Sequence, residues 1–264
     1  MIVDGRKIAQ DIYKEVTEKV AVFTTAPKMA VVTCSPNAET QQYLELKKRK
    51  ATEVGISLVV LELPDTAQTE DVIACVKAVS ETVDGIVVQL PMPAQIDREE
   101  VLKSVPYDKD PDGFGYEQNE ASCIPPVVGA IKEISKLHGI EWKNKKVAIV
   151  GHGRLVGKPT AYFASKSGSE VAILTETSDR FKEQLVDADI IVSGVGKPHF
   201  ISSDMVADDV VIFDAGASED GGVVVGDIDP DVASKASLLT PVPGGIGPIT
   251  VAILLRNLVR LVSQ

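Results

Sequence analysis

KKVAIVGHGRLVGKPTAYFA, residues 145–164, reads as strand, glycine turn and helix. Val147–Val150 is a short apolar run of strand type, and the segment opened by Gly157 has helical spacing. Between them Gly151 and Gly153 permit a tight turn and a close approach of backbone to a pyrophosphate, whose charge meets the N–H groups at the start of the following helix. The spacing, G-x-G-x-x-x-G, is one residue longer than the common dinucleotide fingerprint. A glycine-rich strand-to-helix turn that binds nothing is the alternative. The next strand, VAILTE, ends on Glu176. Dinucleotide sites place a carboxylate there to accept hydrogen bonds from the adenosine ribose hydroxyls, although a solvated loop carboxylate has the same sequence.

Outward from this loop, short β-branched runs alternate with longer amphipathic stretches. Strands are expected near 29–33, 57–61, 85–90, 146–150, 170–174, 189–192 and 210–213. Helices are expected near 4–23, 40–54, 69–81, 126–138, 157–166, 180–186 and 248–262. The alternation predicts an α/β fold with parallel sheets. Runs such as GIVVQL are apolar on both faces, as a strand covered by helices on both sides must be. A polar, turn-rich segment, DKDPDGFGYEQNEAS, separates two blocks and suggests domains at 1–119 and 120–247, with a last helix at 248–264.

The chain has 264 residues, 44% hydrophobic and 25% charged, ordinary for a globular protein. A net charge of -11 opposes nonspecific binding to nucleic acid or to an anionic membrane. Cys34, Cys75 and Cys123 are scattered and indicate neither a zinc site nor a disulfide framework. MIVDGRKIAQDIYKEV lacks the apolar core of a signal peptide, and the expected location is the cytoplasm.

Three places in the first block carry candidate chemistry. Tyr43 and Lys47 stand at i and i+4 on one expected helix, so a tyrosine lies beside a lysine able to act as general base or acid. The rival is a solvated basic face, because Lys47 opens the run KKRK. Gln89 closes an apolar strand before Pro91-Met92-Pro93, at the carboxyl end where α/β folds bind ligands; a satisfied core glutamine is equally compatible. Residues 108–113, DKDPDG, begin like a calcium loop, but the twelfth position is Asn119 and Pro111 interrupts it. Turn chemistry explains most of that segment and leaves one carboxylate to face a ligand.

Together YLELKKRKATEVGI, DGIVVQLPMPAQID, DKDPDGF, VGHGRLVGKP, ADIIVSGVGKPHFI and TPVPGGIGPITVAILLRN resemble, in order and over nearly the whole chain, the bifunctional methylenetetrahydrofolate dehydrogenase/methenyltetrahydrofolate cyclohydrolase family. The resemblance implies two domains flanking a cleft, an N-terminal α/β catalytic domain and a C-terminal Rossmann-type parallel sheet, with helix 248–264 completing the first. It implies a homodimer, a tetrahydrofolate substrate, NADP or NAD as cofactor, no metal, and a place in one-carbon metabolism. By resemblance Lys47, Tyr43 and Gln89 are catalytic. Tyr43, Val88, Gln89, Leu90, Asp112, Pro243, Gly244, Gly245 and Gly247 bind folate, with Asp112 on the aminopyrimidine edge. Gly151, His152, Gly153, Val156, Gly157, Glu176 and Ala217 bind the cofactor. A dehydrogenase without hydrolase activity, or a sensor that binds without turnover, is the alternative.

The sequence departs from the family around the cofactor. His152 and Gly153 replace the usual arginine and serine, Ile124 replaces a threonine, DAGAS at 214–218 replaces DVGIN, and Glu176 stands where many members place arginine or serine. Two unit charges of like sign at 4 Å repel by roughly 1 kcal/mol in water and ~4 kcal/mol at an effective dielectric near 20. Glu176 therefore leans the choice toward NAD, with Arg154 and Arg180 as candidates to rescue NADP.

Overall fold

The computed structural model describes residues 1–119 and 121–264, and the side chains of all of these except 38 and 39. Along the chain run α1 (Gly5–Val20), β1 (Lys28–Cys34), α2 (Ala38–Glu53), β2 (Ser57–Leu63), α3 (Thr69–Ser80), β3 (Gly85–Val88) and α4 (Arg98–Lys103). There follow α5 (Pro126–His138), β4 (Lys146–Val150), α6 (Gly157–Lys166), β5 (Glu170–Leu174), α7 (Phe181–Val186), β6 (Ile190–Ser193) and β7 (Val211–Asp214). The chain closes with β8 (Ser218–Asp220), β9 (Val223–Val225), β10 (Leu238–Leu239) and α8 (Ile246–Val262). Two compact units result, one of Gln10–Pro125 with Val251–Gln264, the other of Met1–Ala9 with Pro126–Thr250. Among the described residues no helix is long and apolar enough to cross a membrane.

In the unit containing Gln10–Pro125, three parallel strands pair in the order β2-β1-β3. The central strand is buried from Met29 to Cys34, as an apolar run must be when both faces are covered. Ala30, Val32, Ile86 and Val88 pack with Val72 and Val76 of α3 and with Val101 and Leu102 of α4. Helix α4 lies outside the expected alternation. Asp97 starts it by accepting from the backbone N–H groups of Glu99 and Glu100 at 2.9 and 3.1 Å. The expected strand 85–90 ends at Val88, yet Gln89 N still donates to Val32 O at 2.9 Å, so the chain continues in the strand direction. Helix α8 begins two residues earlier than expected because Pro248 sits in its first turn, where no backbone donor is needed. Farther along, Leu258 packs on the strand face opened by Gly85, where an added Cβ would lie 2.5 Å from Leu258 Cδ1.

In the second unit five parallel strands pair in the order β10-β7-β6-β4-β5. The connections from β4 and from β5 to β6 run to opposite sides, so the carboxyl ends of β4 and β6 border a topological switch point, where such sheets bind ligands. At the far edge the amino terminus adds to the sheet: Ile2 bridges Leu239, and Val3 N donates to Leu239 O at 3.0 Å.

Two carboxylates are buried beside the carboxyl ends of β6 and β7. Asp214 accepts from the backbone N–H groups of Gly216, Asp227 and Ile228 at 3.0, 3.2 and 3.1 Å. Asp227 accepts from Ser193 Oγ at 2.7 Å and from Val195 N and Lys197 N at 2.8 Å each. Burial pushes the Asp214 carboxyl up to about 7; the Asp227 charge adds to this, and the backbone donors oppose it. A carboxyl raised in the folded state contributes stability that is present below its ordinary value and lost as pH rises through the raised one. Asp110, also pushed up to about 7 by burial, acts with the same sign. The urea midpoint is therefore expected to fall as pH rises from 3.8 to about 7, and Asp214→Asn to flatten that slope without removing it. A midpoint that rises across the window in the wild-type protein would contradict both burial effects.

Candidate active site

Helix α2 is started by Asn37, whose side chain accepts from Thr40 N at 2.8 Å. Of the basic run it carries, Lys48 and Arg49 are exposed, while Lys47 is 5% exposed, on the helix face of Leu44 and Ala51. The solvated reading is thus correct for Lys48 and Arg49 and fails for Lys47. A buried ammonium needs acceptors. Lys47 Nζ donates to Gln89 Oε1 at 2.9 Å and lies 4.7 Å from the centroid of the Tyr43 ring. Gln89 Nε2 donates to Leu90 O at 2.6 Å, which fixes the amide with its oxygen toward the lysine. Leu90 is half-buried and joined to Pro91 by a cis peptide bond. The Val88 side chain belongs to the core with α3 and α4, so only its backbone is available to a ligand.

The acidic segment after α4 divides its labour. Lys109 Nζ donates to Ser80 O and Val83 O at 2.5 and 2.7 Å. Asp110 is spent within the turn, accepting from Gly113 N at 2.9 Å and Gly115 N at 3.3 Å. Gly113 has φ +69°, and an added Cβ would lie 2.3 Å from Cys123 O. From α8, Asn257 Nδ2 donates to Pro111 O and Ile124 O at 2.8 Å each and braces the turn. Asp112 remains, half-buried: desolvation pushes its carboxyl up and the Lys47 charge pulls it down. Tyr43, Lys47 and Gln89 thus meet in one buried or half-buried cluster, and the Lys47 charge reaches the half-buried Asp112 carboxyl.

The glycine loop lies in the other unit. Gly151 follows β4 with φ +92°, and its N–H donates to Leu174 O at 2.8 Å. Gly157 opens α6, where an added Cβ would meet Gly151 O at 2.1 Å. Gly153 has open space around its Cα, and His152 and Gly153 are exposed ahead of the helix amino terminus. Val156 is half-buried against Gly194, an unanticipated participant whose added Cβ would lie 2.6 Å from Val156 Cγ1. Gly194 belongs to VSGVGKP, where glycines right after a strand were the available signal. Glu176 is exposed at the end of β5 and forms an ion pair with Lys197, in the loop after β6. Ala217 is exposed after β7.

The PVPGGIGP segment belongs to this same unit. Gly5 N donates to Gly244 O at 2.9 Å, and Gly245 N donates to Pro241 O at 2.7 Å. Pro243 follows a cis peptide bond and is exposed, Gly244 has φ +107°, Gly245 is buried, and Gly247 lies in the first turn of α8. The sequence-read candidates therefore fall into two sets, one around Lys47 and one around the Gly151–Gly157 loop with the 243–247 segment.

A parallel sheet with a glycine loop at its switch point is the arrangement of a nucleotide-binding α/β fold, and the other unit holds a buried lysine bonded to a glutamine amide. Residues 3–112 match the model of the tetrahydrofolate dehydrogenase/cyclohydrolase catalytic domain, and residues 122–264 match that family's NAD(P)-binding domain. The chain belongs to the tetrahydrofolate dehydrogenase/cyclohydrolase family. It is 35% identical to the bifunctional protein FolD of Aquifex aeolicus, over 98% of this chain and 94% of that relative. The crystal structure of the FolD methylenetetrahydrofolate dehydrogenase/cyclohydrolase of Campylobacter jejuni superimposes with a TM-score of 0.95 at 30% identity, covering 100% of this chain and 98% of that one. The Trypanosoma brucei FolD enzyme, solved with NADP and an inhibitor, gives a TM-score of 0.93 at 29% identity, covering 100% of this chain and 97% of that one.

Proposed function

We propose that this chain oxidises 5,10-methylenetetrahydrofolate to 5,10-methenyltetrahydrofolate and hydrolyses the product to 10-formyltetrahydrofolate, with Lys47 as the proton-handling group. The observation that carries this reading is the buried Lys47 ammonium, bonded to Gln89 Oε1 and lying over the Tyr43 ring. Gly151, with its left-handed backbone, and Gly157, with no room for a Cβ, form a cradle that fits a pyrophosphate. In our reading His152, Gly153, Val156, Glu176 and Ala217 complete the cofactor set. A dinucleotide held by this cradle would supply a nicotinamide as hydride acceptor for the one-carbon unit of the folate.

The chain's own residues then orient the folate and move protons. Asp112 accepts paired N–H bonds from the aminopyrimidine edge, and Tyr43 offers a ring face beside Lys47. The backbone around Val88 and Leu90 completes the folate set in this unit, and Pro243, Gly244, Gly245 and Gly247 are further folate candidates by the family resemblance. Hydrolysis adds water to the methenyl carbon and opens its bond to N5; one water proton ends on N5 and the other leaves to solvent. Lys47 Nζ, held by Gln89 Oε1 at 2.9 Å, relays these protons. The division into a folate domain at 1–119 with helix 248–264 and a dinucleotide domain at 120–247, a cytoplasmic homodimer, and NADP or NAD as cofactor with Glu176 and His152 leaning the choice toward NAD all belong to the same reading. The presence of Tyr43, Lys47 and Gln89 as one hydrogen-bonded and stacked set favours the bifunctional enzyme over a dehydrogenase alone.

The test is to follow methenyltetrahydrofolate absorbance with each dinucleotide. Formation of methenyltetrahydrofolate from the methylene form, and its decay when supplied alone, are both expected. Binding of either compound without turnover would leave a sensor in place of the enzyme.

A further inference from the structure

The carboxyl ends of β5 and β6 lie on either side of β4, so the loops that follow them flank the Gly151–Gly157 turn. One loop carries Glu176 and the other Lys197, and the two side chains meet as an ion pair, 51% and 48% exposed respectively. The backbone beneath the lysine is held firmly. Lys197 N donates to Asp227 Oδ1 at 2.8 Å, and Asp227 is fully buried with two further donors, Ser193 Oγ and Val195 N. The ammonium is held loosely, by Glu176 and by a longer approach of 5.9 Å to the Phe200 ring. An ion pair this exposed is weak enough to be exchanged for another partner.

Arg180, at the start of α7, lines a cavity with Lys146, Ala148, Glu170 and Ala172 of β4 and β5.

The two partners read opposite chemistry. A carboxylate accepts hydrogen bonds from the paired ribose hydroxyls of a dinucleotide that lacks a 2′-phosphate, and repels one that carries it. An ammonium does the reverse. We propose that Lys197 is a cofactor-selecting residue of this chain: its ammonium leaves Glu176 to bind the adenosine 2′-phosphate of NADP, whereas Glu176 alone takes the ribose hydroxyls of NAD. The pair is thus a neutral reader that admits both cofactors, and the charge of Glu176 is only half of the discrimination. This rests on the reading of the Gly151–Gly157 turn as the dinucleotide loop.

Calorimetric titration with adenosine 2′,5′-bisphosphate and with AMP tests it on the full-length protein. Lys197→Gln is expected to weaken the bisphosphate about tenfold relative to AMP, the loss of one charge-assisted hydrogen bond. Glu176→Gln, which frees the ammonium, shifts the same ratio the other way. The ratio of kcat/KM for NADP over NAD follows both changes. Equal weakening of the two fragments by Lys197→Gln, or an unmoved ratio, overturns the proposal while leaving the loop assignment intact. If the wild-type protein binds neither fragment, the dinucleotide reading itself fails and the proposal falls with it.

Discussion

Lys47→Met is expected to lower methenyltetrahydrofolate hydrolysis by about 10²–10⁴-fold, the usual contribution of a positioned proton-transfer group. Methionine has similar length and keeps the apolar stem of the lysine in place between Leu44 and Ala51. It removes the donor that Gln89 Oε1 accepts from at 2.9 Å and the positive charge that acts on Asp112. Folate binding should decline far less, because Asp112 and the Tyr43 ring remain. Stopped assays of methenyltetrahydrofolate decay, with folate binding measured separately, distinguish the two effects. Hydrolysis at the wild-type rate would remove Lys47 from the mechanism.

The second large effect is expected at Gly157. The added Cβ of Gly157→Ala would sit 2.1 Å from Gly151 O and 2.9 Å from His152 Cα, both backbone atoms with no rotamer to turn aside. Gly151 cannot retreat easily, since its N–H is bonded to Leu174 O and its own conformation lies at φ +92°. Overpacking of this kind costs roughly 1–3 kcal/mol, and here it falls on the loop that would hold the pyrophosphate. Dinucleotide affinity should drop by about tenfold or more while methenyltetrahydrofolate hydrolysis, which needs no hydride acceptor, persists. Gly153→Ala is the contrasting variant, because nothing lies within 4 Å of its added Cβ. Calorimetric affinities that are the same for the two variants would show that the Gly151–Gly157 contact does not shape the site.

The parallel sheets were legible because their strands are continuous β-branched runs, and helices α5 and α6 because their ends are marked by Pro126 and Gly157. What escaped is equally physical. The hairpin of β8 and β9 turns on Gly221 and Gly222, with φ +58° and +83°, a two-glycine signal set among exposed residues with no apolar alternation to flag it. The spacing of Lys47 from Tyr43 left a solvated basic face open, and only the family resemblance singled the lysine out; its burial beside three other basic residues depends on which helix face meets the protein. Three aspartates at 108, 110 and 112 look alike in sequence; hydrogen bonds to Gly113 and Gly115 claim Asp110 and leave Asp112. Lys197 gave no local sign, because its partner Glu176 is brought to it only by strand order.

The amino-terminal bridge also bears on how this chain can be taken apart. Leu239 N donates to Met1 O at 2.9 Å, and Leu239 O accepts from Val3 N at 3.0 Å, so the first residues of the sequence finish the edge of a sheet built almost wholly from residues beyond 145. A fragment cut to begin at Pro126 would expose that edge, with its buried Leu238 and Leu239, as an unpaired strand open to pairing with another chain. The nucleotide-binding half is therefore not a removable cassette: moved into another protein, it would have to bring residues 1–3 with it or recruit a substitute.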